Sequence, residues 1–473
     1  MKLRDYQQAA VDRLRASFGS GRRAPLLVLP TGGGKTFVFC YIAANAAQRG
    51  NRTLILVHRQ ELLRQTSDSL KALGVRHGLI APGAPPRFGE LVQVASVQTI
   101  VRRFDQFERA GWSPELIVPD EAHHATAGTW RTVINRWQAA RILGVTATPC
   151  RMDGRGLEDV FDDLVEGPQI AELIDEGHLA PPTVYAPPVV ADLSGVRMRA
   201  GDYAKNELAE RVDRPTVTGD AVEHYGRICP GTPAIAFCVS VAHAEHVAEQ
   251  FRLAGWRAAS LDGSMSDVER KARIADLGEG RLHVLTSCDI ISEGTDIPVV
   301  GAAILLRPTK SLGLYLQQVG RALRLYPGKT EAVILDHVGN VSTHGLPDEP
   351  REWTLEGRAK GQRQKSDDGP PPPVTCGGCF RQIRRPAPPA CPSCGHKIAG
   401  PDRMQGLQQQ AGELKKITAE DRKAIAAHRK QDQAMAGTMQ ELVALGHRRG
   451  YKNPQGWAWR VFSKRKSNKM AAG

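Results

Sequence analysis

The sequence predicts two α/β domains built on parallel sheets, followed by a small metal-binding module and a basic, helical C-terminal region. Short apolar runs alternate with helical stretches in two successive sets, which is the pattern of strand–helix–strand units. A glycine-rich turn joins the first run to a helix, and two closely spaced cysteine pairs follow the second set. The length of 473 residues fits such a division into several domains.

Composition argues against a membrane or secreted protein. Apolar residues make up 41% of the chain, and no apolar run approaches the roughly 20 residues of a membrane span. The N-terminal residues have no apolar core of the kind that a secretory signal needs. Five of the nine cysteines are scattered in apolar contexts, as buried thiols are in a reducing compartment; they are Cys40, Cys150, Cys229, Cys238 and Cys288. We therefore expect a cytoplasmic protein without a membrane partner.

The net charge of +13 is concentrated at one end of the chain. Residues 374–473 hold 19 Lys/Arg and 6 Asp/Glu, whereas residues 1–373 hold 44 of each kind. A basic region on a neutral body favours a polyanionic partner such as a nucleic acid. The alternative is a basic region that only improves solubility.

The apolar runs set the expected domain boundaries. The strands predicted for the first domain are 26–29, 53–57, 91–95, 116–118 and 142–145, and those for the second are 233–239, 256–261, 282–286, 302–306 and 332–335. The predicted α/β domains are therefore 1–165 and 216–345, joined by an irregular linker rich in Pro and Gly at 166–215. A Pro-rich linker at 346–373, a cysteine module at 374–400 and a basic tail at 401–473 complete the prediction.

The segment Pro30–Thr36 has the features of a phosphate-binding turn. Its three glycines let backbone N–H groups turn inward around an anion, at the positive end of the helix that follows. Lys35 is placed to reach the β- and γ-phosphates of a nucleotide, and the Thr36 hydroxyl to complete the shell of Mg²⁺. The general pattern has a glycine where this chain has Leu29, and the segment alone leaves a purely structural turn open.

The fourth apolar run ends in Pro119, Asp120 and Glu121. A carboxylate at the C-terminal end of a strand, beside a phosphate loop, is where Mg²⁺ is held in open parallel sheets. We predict that Asp120 coordinates Mg²⁺ and that Glu121 orients the attacking water. Pro119 has no N–H to donate, so it is compatible with a central strand only as the last residue. An ordinary acidic turn is the alternative.

The segment Gln317–Arg324 carries Arg321 and Arg324 three residues apart, on one face if the segment is helical. Two guanidinium groups on one face suit a polyphosphate, because they form several charge-assisted hydrogen bonds with it. A solvated helix face is the alternative.

The order of these segments resembles the motif series of superfamily 2 helicases. The series comprises Tyr6–Gln7, Pro30–Thr36, Asp120–His123, Thr146–Thr148, Gly294–Asp296 and Gln317–Arg324. The Asp-Glu-Ala-His box is typical of the DEAH-type members, and Thr148–Leu157 with the four-cysteine cluster resembles the bacterial and phage RadD-type DNA-repair helicases. The resemblance covers about residues 1–340 and implies two RecA-like domains, each a P-loop NTPase fold, with ATP between them.

The resemblance also implies roles for individual residues. Gln7 would read the adenine, Gln317 would lie near the attacking water, and Arg321 and Arg324 would reach the γ-phosphate from the second domain. The residues implied to bind the nucleotide are Gln7, Thr31, Gly32, Gly33, Gly34, Lys35, Thr36, Gly294 and Asp296. The residues implied to act in catalysis are Lys35, Asp120, Glu121, Gln317, Arg321 and Arg324.

Nucleic-acid contacts and their coupling to the nucleotide follow from the same resemblance. His123, Thr146 and Thr148 would couple nucleotide binding to strand binding. Contacts with the phosphate backbone of one strand are implied for His58, Arg59, Gln98, Thr99, Ser240 and Thr286.

Cys376, Cys379, Cys391 and Cys394 form two C-x-x-C pairs separated by 11 residues. This spacing predicts a tetrahedral, structural Zn²⁺ site of the ribbon type. Paired disulfides are the alternative, and a reducing compartment disfavours them. His396 is not needed as a ligand, because four thiolates already complete the shell.

The end of the chain mixes aromatic and basic residues. Trp457 and Trp459 lie among cations, a combination that stacks on bases and neutralises phosphates. The alternative is a small helical packing module in which the tryptophans are anchors.

Together these features predict an ATP-dependent DNA helicase or translocase in repair or recombination, which uses ATP, Mg²⁺ and a structural Zn²⁺ and is encoded by a bacterium or a phage. Phosphate contacts alone do not separate DNA from RNA, so an RNA helicase is the nearest alternative. A second alternative is the translocating subunit of a restriction or nuclease complex. The expected protein partner is a nuclease or a single-strand-binding protein. A third alternative is a zinc-dependent nucleic-acid-binding module with a silent motor, which the presence of Lys35, Glu121 and Arg321 disfavours.

Overall fold

A computed structural model of the chain describes most of both α/β lobes and parts of the C-terminal region. The described residues are 2–149, 156–186, 198–199, 202–204, 208, 215–288, 297, 299–356, 373–398, 431–433, 435–436, 438–448, 454–459 and 461–462. The predicted sites Gly294 and Asp296 and the predicted buried thiol Cys150 lie outside these residues.

The first lobe is a parallel sheet flanked by helices, as predicted. Its strands are β1 Pro25–Val28, β2 Thr53–Val57, β3 His77–Ile80, β4 Val92–Ser96, β5 Leu116–Pro119, β6 Arg141–Ile142, β7 Gly144–Thr146 and β8 Asp163–Glu166. They pair in the orders β3-β4-β2-β5-β6 and β7-β1-β8, and a bridge between Asp120 and Val145 joins the two sheets. The helices are α1 Asp5–Gly19, α2 Lys35–Gln48, α3 Gln60–Ala72, α4 Val97–Ile100, α5 Phe104–Arg109 and α6 Gly128–Arg136.

Two strands of this lobe have no counterpart among the predicted ones. β3 and β8 each lie at the edge of their sheet, and both are only partly buried. Edge strands carry polar residues that do not form an apolar run, so periodicity does not find them. Pro119 is the last residue of β5, as the missing N–H requires.

The second lobe is a six-stranded parallel sheet in the order β13-β14-β12-β15-β16-β9. Its strands are β9 Pro182–Tyr185, β12 Ala234–Phe237, β13 Ala258–Leu261, β14 Val284–Ser287, β15 Ala302–Leu305 and β16 Ala332–Asp336. Its helices are α8 Pro215–Ile228, α9 Val241–Leu253, α10 Asp267–Gly278, α11 Leu312–Ala322 and α12 Asn340–His344. The predicted class, two α/β lobes with parallel sheets, is confirmed.

The prediction of an irregular linker over 166–215 is wrong in part. The segment forms α7 Ile170–Asp175 and strand β9, and Met198–Arg199 (β10) pairs with Asp202–Tyr203 (β11). The prolines beside β9 argued against a strand, yet Pro182 is the first residue of an edge strand, where a missing N–H is tolerated.

The linker predicted over 346–373 is also partly ordered against the first lobe. Residues 346–356, here called the return segment, run back from the second lobe. Gln169 Nε2 donates to the Arg351 carbonyl at 3.0 Å, and Leu157 N donates to the Leu355 carbonyl at 2.7 Å. Trp353 and Leu355 pack against the apolar cluster around β1. The lobes are therefore joined by the chain at two places.

The cysteine module adds a short hairpin of β17 Val374–Thr375 and β18 Gln382–Ile383. It packs beside β9, where Ala186 N donates to the Phe380 carbonyl at 2.9 Å. Residues 400–473 form a separate compact unit, whose described parts include α13 Met439–Arg448 and a helical turn at 454–459. Among the described residues, no helix combines the length and the apolar character needed to cross a bilayer.

His337, which follows β16, links the second lobe's stability to pH. Its ring stacks on His224 with 5.3 Å between centroids, and burial together with the charge of His224 lowers the pKa of His337 to about 3. Between pH 3 and the ordinary histidine pKa, the unfolded chain therefore binds a proton that the folded chain does not. Stability is complete above about pH 6.5 and is lost as the pH falls through this window.

We predict that the stability of His337→Phe, which keeps a ring in the stack, depends less on pH than that of the unaltered chain. The difference between its urea unfolding midpoints at pH 7 and pH 5 should be smaller. His246→Gln, at an exposed site in α9, is the control and should retain the original pH dependence. An undiminished pH effect in His337→Phe would contradict the assignment.

Candidate functional site

The glycine-rich turn connects β1 to α2 and has the backbone conformation that an anion site needs. Gly32 and Gly34 have φ values of +88° and +79°, in the left-handed region that glycine tolerates best. α2 begins at Lys35, so its first N–H groups and the positive end of its dipole face the turn. Lys35 and Thr36 form the first turn of the helix, as the phosphate-loop prediction requires.

Two side chains of α1 hold the backbone of this turn. Tyr6 Oη donates to the Gly33 carbonyl at 3.0 Å, and Gln7 Nε2 donates to the same carbonyl at 3.2 Å. Gln7 Oε1 accepts from Arg4 N at 3.0 Å, and a methyl group added to Gly34 would collide with Gln7. The structure thus places Gln7 on the loop itself, and its contact with adenine stays a prediction. Sequence reasoning gave Tyr6 no role of its own, although its hydroxyl holds the loop.

The two predicted catalytic carboxylates lie at the end of β5, opposite the glycine loop. Asp120 and Glu121 are 2% and 8% exposed. Lys35 Nζ lies 4.0 Å from Glu121 Oε1, so the loop lysine and the acidic pair share one site. Glu121 has φ 51° and ψ 55°, a left-handed conformation that costs a non-glycine residue on the order of 1 kcal/mol or more. Strain of this kind is typical of functional sites.

The carboxylates also fit a hydrated Mg²⁺ ion. Asp120 Oδ1 accepts from Glu121 N at 3.0 Å, which fixes its orientation. Glu121 Oε2 is inaccessible to solvent and accepts no hydrogen bond from any residue that the structure describes. Buried carboxylate oxygens with spare lone pairs are suitable partners for metal-bound water.

The three predicted coupling residues form one connected set. His123 Nδ1 lies 3.5 Å from Glu121 Oε2 and 3.2 Å from Thr146 Oγ1. Thr146 Oγ1 in turn accepts from Thr148 N at 3.2 Å. The set therefore runs from Glu121, across the end of β7, to the segment after it.

The segment with the predicted arginines begins in helix α11, here called the arginine helix, and continues past its end at Ala322. One face of α11 packs on the first lobe. A methyl group built on Gly320 would lie 2.5 Å from Thr31 Cβ, and one on Gly313 would lie 2.8 Å from Thr148 Oγ1. Gln317 shares this face, because positions i, i+4 and i+7 of a helix align. Only glycine permits so close an approach between this helix and the loop.

Arg321 lies in this helix, whereas Arg324 lies two residues after its end, so the prediction of one helix face for both arginines is wrong for Arg324. Arg321 is 5% exposed, and the Arg324 side chain passes 3.7 Å from the position that a Gly32 methyl group would take. Burial lowers the pKa of Arg324 to about 10, so the guanidinium stays charged at neutral pH. Buried guanidiniums beside a phosphate-type loop are suited to a polyanion.

Ion pairs also connect the lobes outside the site that contains the glycine loop and the acidic pair. Arg270 of α10 pairs with Glu61 of α3, and Arg64 of α3 pairs with Asp267 of α10. Each helix thus supplies one cation and one anion, and the two ion pairs orient the second lobe on the first.

Most of the predicted nucleic-acid contacts lie at strand ends. β2 and β4 are neighbours in the sheet; His58–Arg59 follow β2 directly, and Gln98–Thr99 lie in α4, the short helix after β4. Gln98 Nε2 donates to the His58 carbonyl at 3.4 Å, so the two segments meet. Ser240 follows β12 and caps α9, with its hydroxyl accepting from His243 N at 3.1 Å.

The prediction for Thr286 is wrong for its side chain. Thr286 lies in the interior strand β14, has no exposed surface, and donates its hydroxyl to the Ala244 carbonyl at 2.6 Å. An inner parallel strand is covered by helices on both faces, so this hydroxyl cannot reach a nucleic acid.

The four clustered cysteines come together as predicted. Their sulfur atoms all lie within 4.8 Å of one another, and the Cys376–Cys394 and Cys379–Cys391 Sγ distances are each 3.6 Å. Burial acts to raise the pKa of Cys376, but N–H groups of Cys379 and Gly378 outweigh it and lower that pKa to about 6. Thiolates held in this way are the ligands that a structural Zn²⁺ takes.

The two tail tryptophans differ in environment. Trp457 packs against a small apolar cluster that includes Leu442, Leu445 and Ala458, whereas Trp459 is 63% exposed. The packing-module alternative therefore fits Trp457, and the stacking prediction remains for Trp459.

Two parallel-sheet lobes, with a glycine loop and an acidic pair on one and Arg321 and Arg324 on the other, define a two-lobed P-loop NTPase. The comparisons with known proteins refine this class. A family model described as "Type III restriction enzyme, res subunit" matches residues 1–151, and one described as "Helicase conserved C-terminal domain" matches residues 220–326. The chain belongs to the superfamily 2 helicases.

Two similar proteins indicate its position in that superfamily. A 51.5 kDa protein of a Lactococcus phage (isolate 7-9) is 34% identical over 396 residues, which are 83% of this chain and 82% of that protein. The putative ATP-dependent helicase IRC3 of Saccharomyces cerevisiae is 32% identical over 357 residues, or 71% of this chain. The match spans only 51% of the yeast protein's length.

Solved structures support the fold. A fragment of a putative HsdR subunit of a type I restriction enzyme from Vibrio vulnificus has a TM-score of 0.58 at 23% identity, covering 72% of this chain and 65% of that one. The helicase MrfA bound to DNA has a TM-score of 0.52 at 16% identity, covering 71% of this chain and 46% of that one.

The close contact of Gly320 with Thr31 provides a test of the site. We predict that Gly320→Ala lowers the maximal rate of ATP hydrolysis by about 10-fold or more, because the added methyl group pushes the arginine helix off the loop. ADP affinity should change little. Steady-state hydrolysis and a nucleotide-binding titration measure the two quantities.

Gly278→Ala is the matched control. Gly278 is the last residue of α10, and a methyl group there has open space around it. An unchanged rate in Gly320→Ala would show that the contact is not needed for hydrolysis.

Proposed function

We propose that this chain is an ATP-driven motor that moves along DNA in repair or recombination, within the RadD-type group of superfamily 2 helicases. The observation that carries the proposal is the packing of the arginine helix of one lobe on the glycine loop of the other. That arrangement supplies both halves of a phosphoryl-transfer site only when the lobes are together.

Each residue of the site has a proposed role. Gly32, Gly33 and Gly34 give the backbone its curvature around the phosphates, and Lys35 pairs with the β- and γ-phosphates. Thr36 and Asp120 would hold Mg²⁺, which would neutralise negative charge on the phosphates. Further nucleotide contacts are proposed for Gln7, Thr31, Gly294 and Asp296.

The proposed hydrolysis needs both lobes. Glu121 orients and polarises a water, with Gln317 beside it, and His123 Nδ1 lies 3.5 Å from Glu121 Oε2. Arg321 and Arg324 stabilise the charge that develops on the γ-phosphate, and an arginine in this role contributes roughly 10³–10⁵ in rate. Hydrolysis then weakens the lobe contact, because the phosphate that both lobes bind is released.

The proposed movement uses backbone contacts on both lobes. His58, Arg59, Gln98 and Thr99 grip the strand on the first lobe, and Ser240 grips it on the second. Because such grips neutralise phosphates rather than read bases, binding should be sequence-independent and weaken with salt. Trp459 and the basic tail would add a stacking contact.

DNA rather than RNA is proposed as the nucleic acid because of the proteins that this chain resembles. The first domain matches a restriction-enzyme family model, and the helicase MrfA is bound to DNA in its solved structure. A type I restriction endonuclease subunit of Escherichia coli, EcoAI, is 24% identical over 380 residues, covering 46% of that subunit. That similarity favours one second candidate, a translocating subunit that works with a nuclease partner.

The cysteine cluster is proposed to hold a structural Zn²⁺ through Cys376, Cys379, Cys391 and Cys394. The sulfur spacing and the N–H groups that point at Cys376 fit such an ion. Four thiolates leave no open ligand position, so the ion would stabilise the module rather than take part in hydrolysis. We also propose a cytoplasmic, nucleoid-associated location.

The motor proposal predicts ATP hydrolysis that DNA stimulates strongly and RNA stimulates weakly, with less stimulation at higher salt. Steady-state hydrolysis is to be measured with single-stranded DNA, duplex DNA and RNA at two salt concentrations. Equal stimulation by RNA would mean that the chain is a general nucleic-acid motor rather than one that prefers DNA. Absence of hydrolysis with all three would contradict the motor.

Two variants test the division of roles between the lobes. Lys35→Ala should abolish hydrolysis and weaken nucleotide binding, because it removes the phosphate contact of the first lobe. Arg321→Ala should abolish hydrolysis but leave ADP affinity largely intact, because its contact forms in the transition state. Wild-type turnover by either variant would refute the role given to that residue.

The zinc proposal predicts one Zn²⁺ per chain after purification without added metal. Cys391→Ser should reduce the measured stoichiometry to near zero and make the module sensitive to proteolysis, because the fold of so small a module depends on its metal. Cys229→Ser, at a buried thiol of the second lobe outside the cluster, is the control. A full zinc content in Cys391→Ser would contradict the site.

A further inference from the structure

Lys329 lies just beyond the arginine helix, and none of the motifs in the sequence includes it. The helix α11 ends at Ala322, and the chain then passes through Arg324 and a turn with Gly328 at φ +82°. Lys329 N donates to the Tyr326 carbonyl at 3.0 Å, which closes this turn. The side chain is thereby directed back at the end of the helix that it follows.

The ammonium group of Lys329 binds three backbone carbonyls. Nζ donates to the carbonyls of Val300 and Arg324 at 2.7 Å each, and to the carbonyl of Ala322. An ammonium has three N–H donors, so all of them are used within the second lobe. Two of the acceptors lie at the C-terminal end of α11, where carbonyls lack helical partners and the dipole is negative.

These contacts tie the arginine helix to its own sheet. Val300 lies just before β15, is fully buried, and is fixed in the core of the lobe. Lys329 thus connects Ala322, the residue after Arg321, and the backbone of Arg324 to the buried residue that precedes β15. Burial and the charge of Arg324 lower the pKa of Lys329 to about 8, which leaves it mainly protonated at neutral pH.

The opposite side of the same helix end is held by the chain between the lobes. Ala180 N donates to the Leu323 carbonyl at 2.8 Å, and Leu179 forms an antiparallel bridge with Arg324. Leu179 also lies against Gly32 of the glycine loop. The chain at the end of the helix is therefore held both by Lys329 and by the segment that leads into β9.

We propose that Lys329 is a positioning residue for ATP hydrolysis: it fixes the C-terminal end of α11 so that Arg321 and Arg324 face the glycine loop. The inference rests on the proposed hydrolytic function of the two arginines. Lys329 itself does not touch the nucleotide, so its effect should appear in the transition state rather than in nucleotide binding.

Lys329→Met keeps an unbranched side chain, one atom shorter than lysine, but removes all three donors. We expect the maximal rate of ATP hydrolysis to fall about 10- to 100-fold, the range that small misplacements of catalytic groups produce. ADP affinity should stay within about twofold, whereas affinity for the transition-state mimic ADP–aluminium fluoride should fall by the same factor as the rate. Lys71→Met is the matched control, at an exposed lysine in the i,i+3 pair with Asp68.

Lys329→Arg separates positioning from folding, because it keeps charge and donors but changes their geometry. We expect a melting temperature like that of the unaltered chain and a rate that is still reduced. A wild-type rate in a folded Lys329 variant would overturn the inference, as would ADP and mimic affinities that fall equally. Absence of hydrolysis in the unaltered chain is a separate result, and it would refute the proposed function together with this inference.

Discussion

The structure depends on one close contact, that between the arginine helix and the glycine loop. Gly320 approaches Thr31 so closely that one added methyl group would collide with it. The contact brings the arginines of one lobe to the loop of the other, so neither lobe contains a complete site by itself. The parallel sheets make this contact possible. The loop, the acidic pair and the threonines all follow the carboxyl ends of strands, so they lie at the same edge of the first lobe.

Two ion pairs also connect the lobes, and they differ in exposure: the Arg270 and Glu61 side chains are 15% and 26% exposed. The Arg64–Asp267 pair is 41% and 47% exposed at its two side chains. Exposed ion pairs contribute about 0–1 kcal/mol each, so this pair can orient the lobes without locking them. The return segment is different, because Trp353 and Leu355 are packed into the apolar cluster of the first lobe. We infer that it remains attached while the ion pairs separate, and so limits how far the lobes can part.

The sequence predicted the site better than it predicted the connections. Lys35, Asp120 and Arg324 each follow from a local pattern whose chemistry is readable from residue types and spacing. Strand β9 was missed because its prolines suggested a linker, and its edge position, which makes them acceptable, is a property of the whole sheet. Thr286 shows the same limit: whether a hydroxyl at a strand end points outward or into a helix depends on packing that the sequence does not display.

The two glycines of α11 explain how the chemistry of the first lobe can act on the whole second lobe. Gly313 meets Thr148 and Gly320 meets Thr31, two helical turns apart on one face. Thr148 belongs to the set that begins at Glu121 and His123, whereas Thr31 belongs to the phosphate loop. The loop and the threonines therefore contact α11 at two points about 10 Å apart, given a rise of 1.5 Å per residue. Two points define the direction of a rigid helix where one would leave it free to pivot, so displacement of the loop and the threonines would rotate the second lobe in a fixed direction.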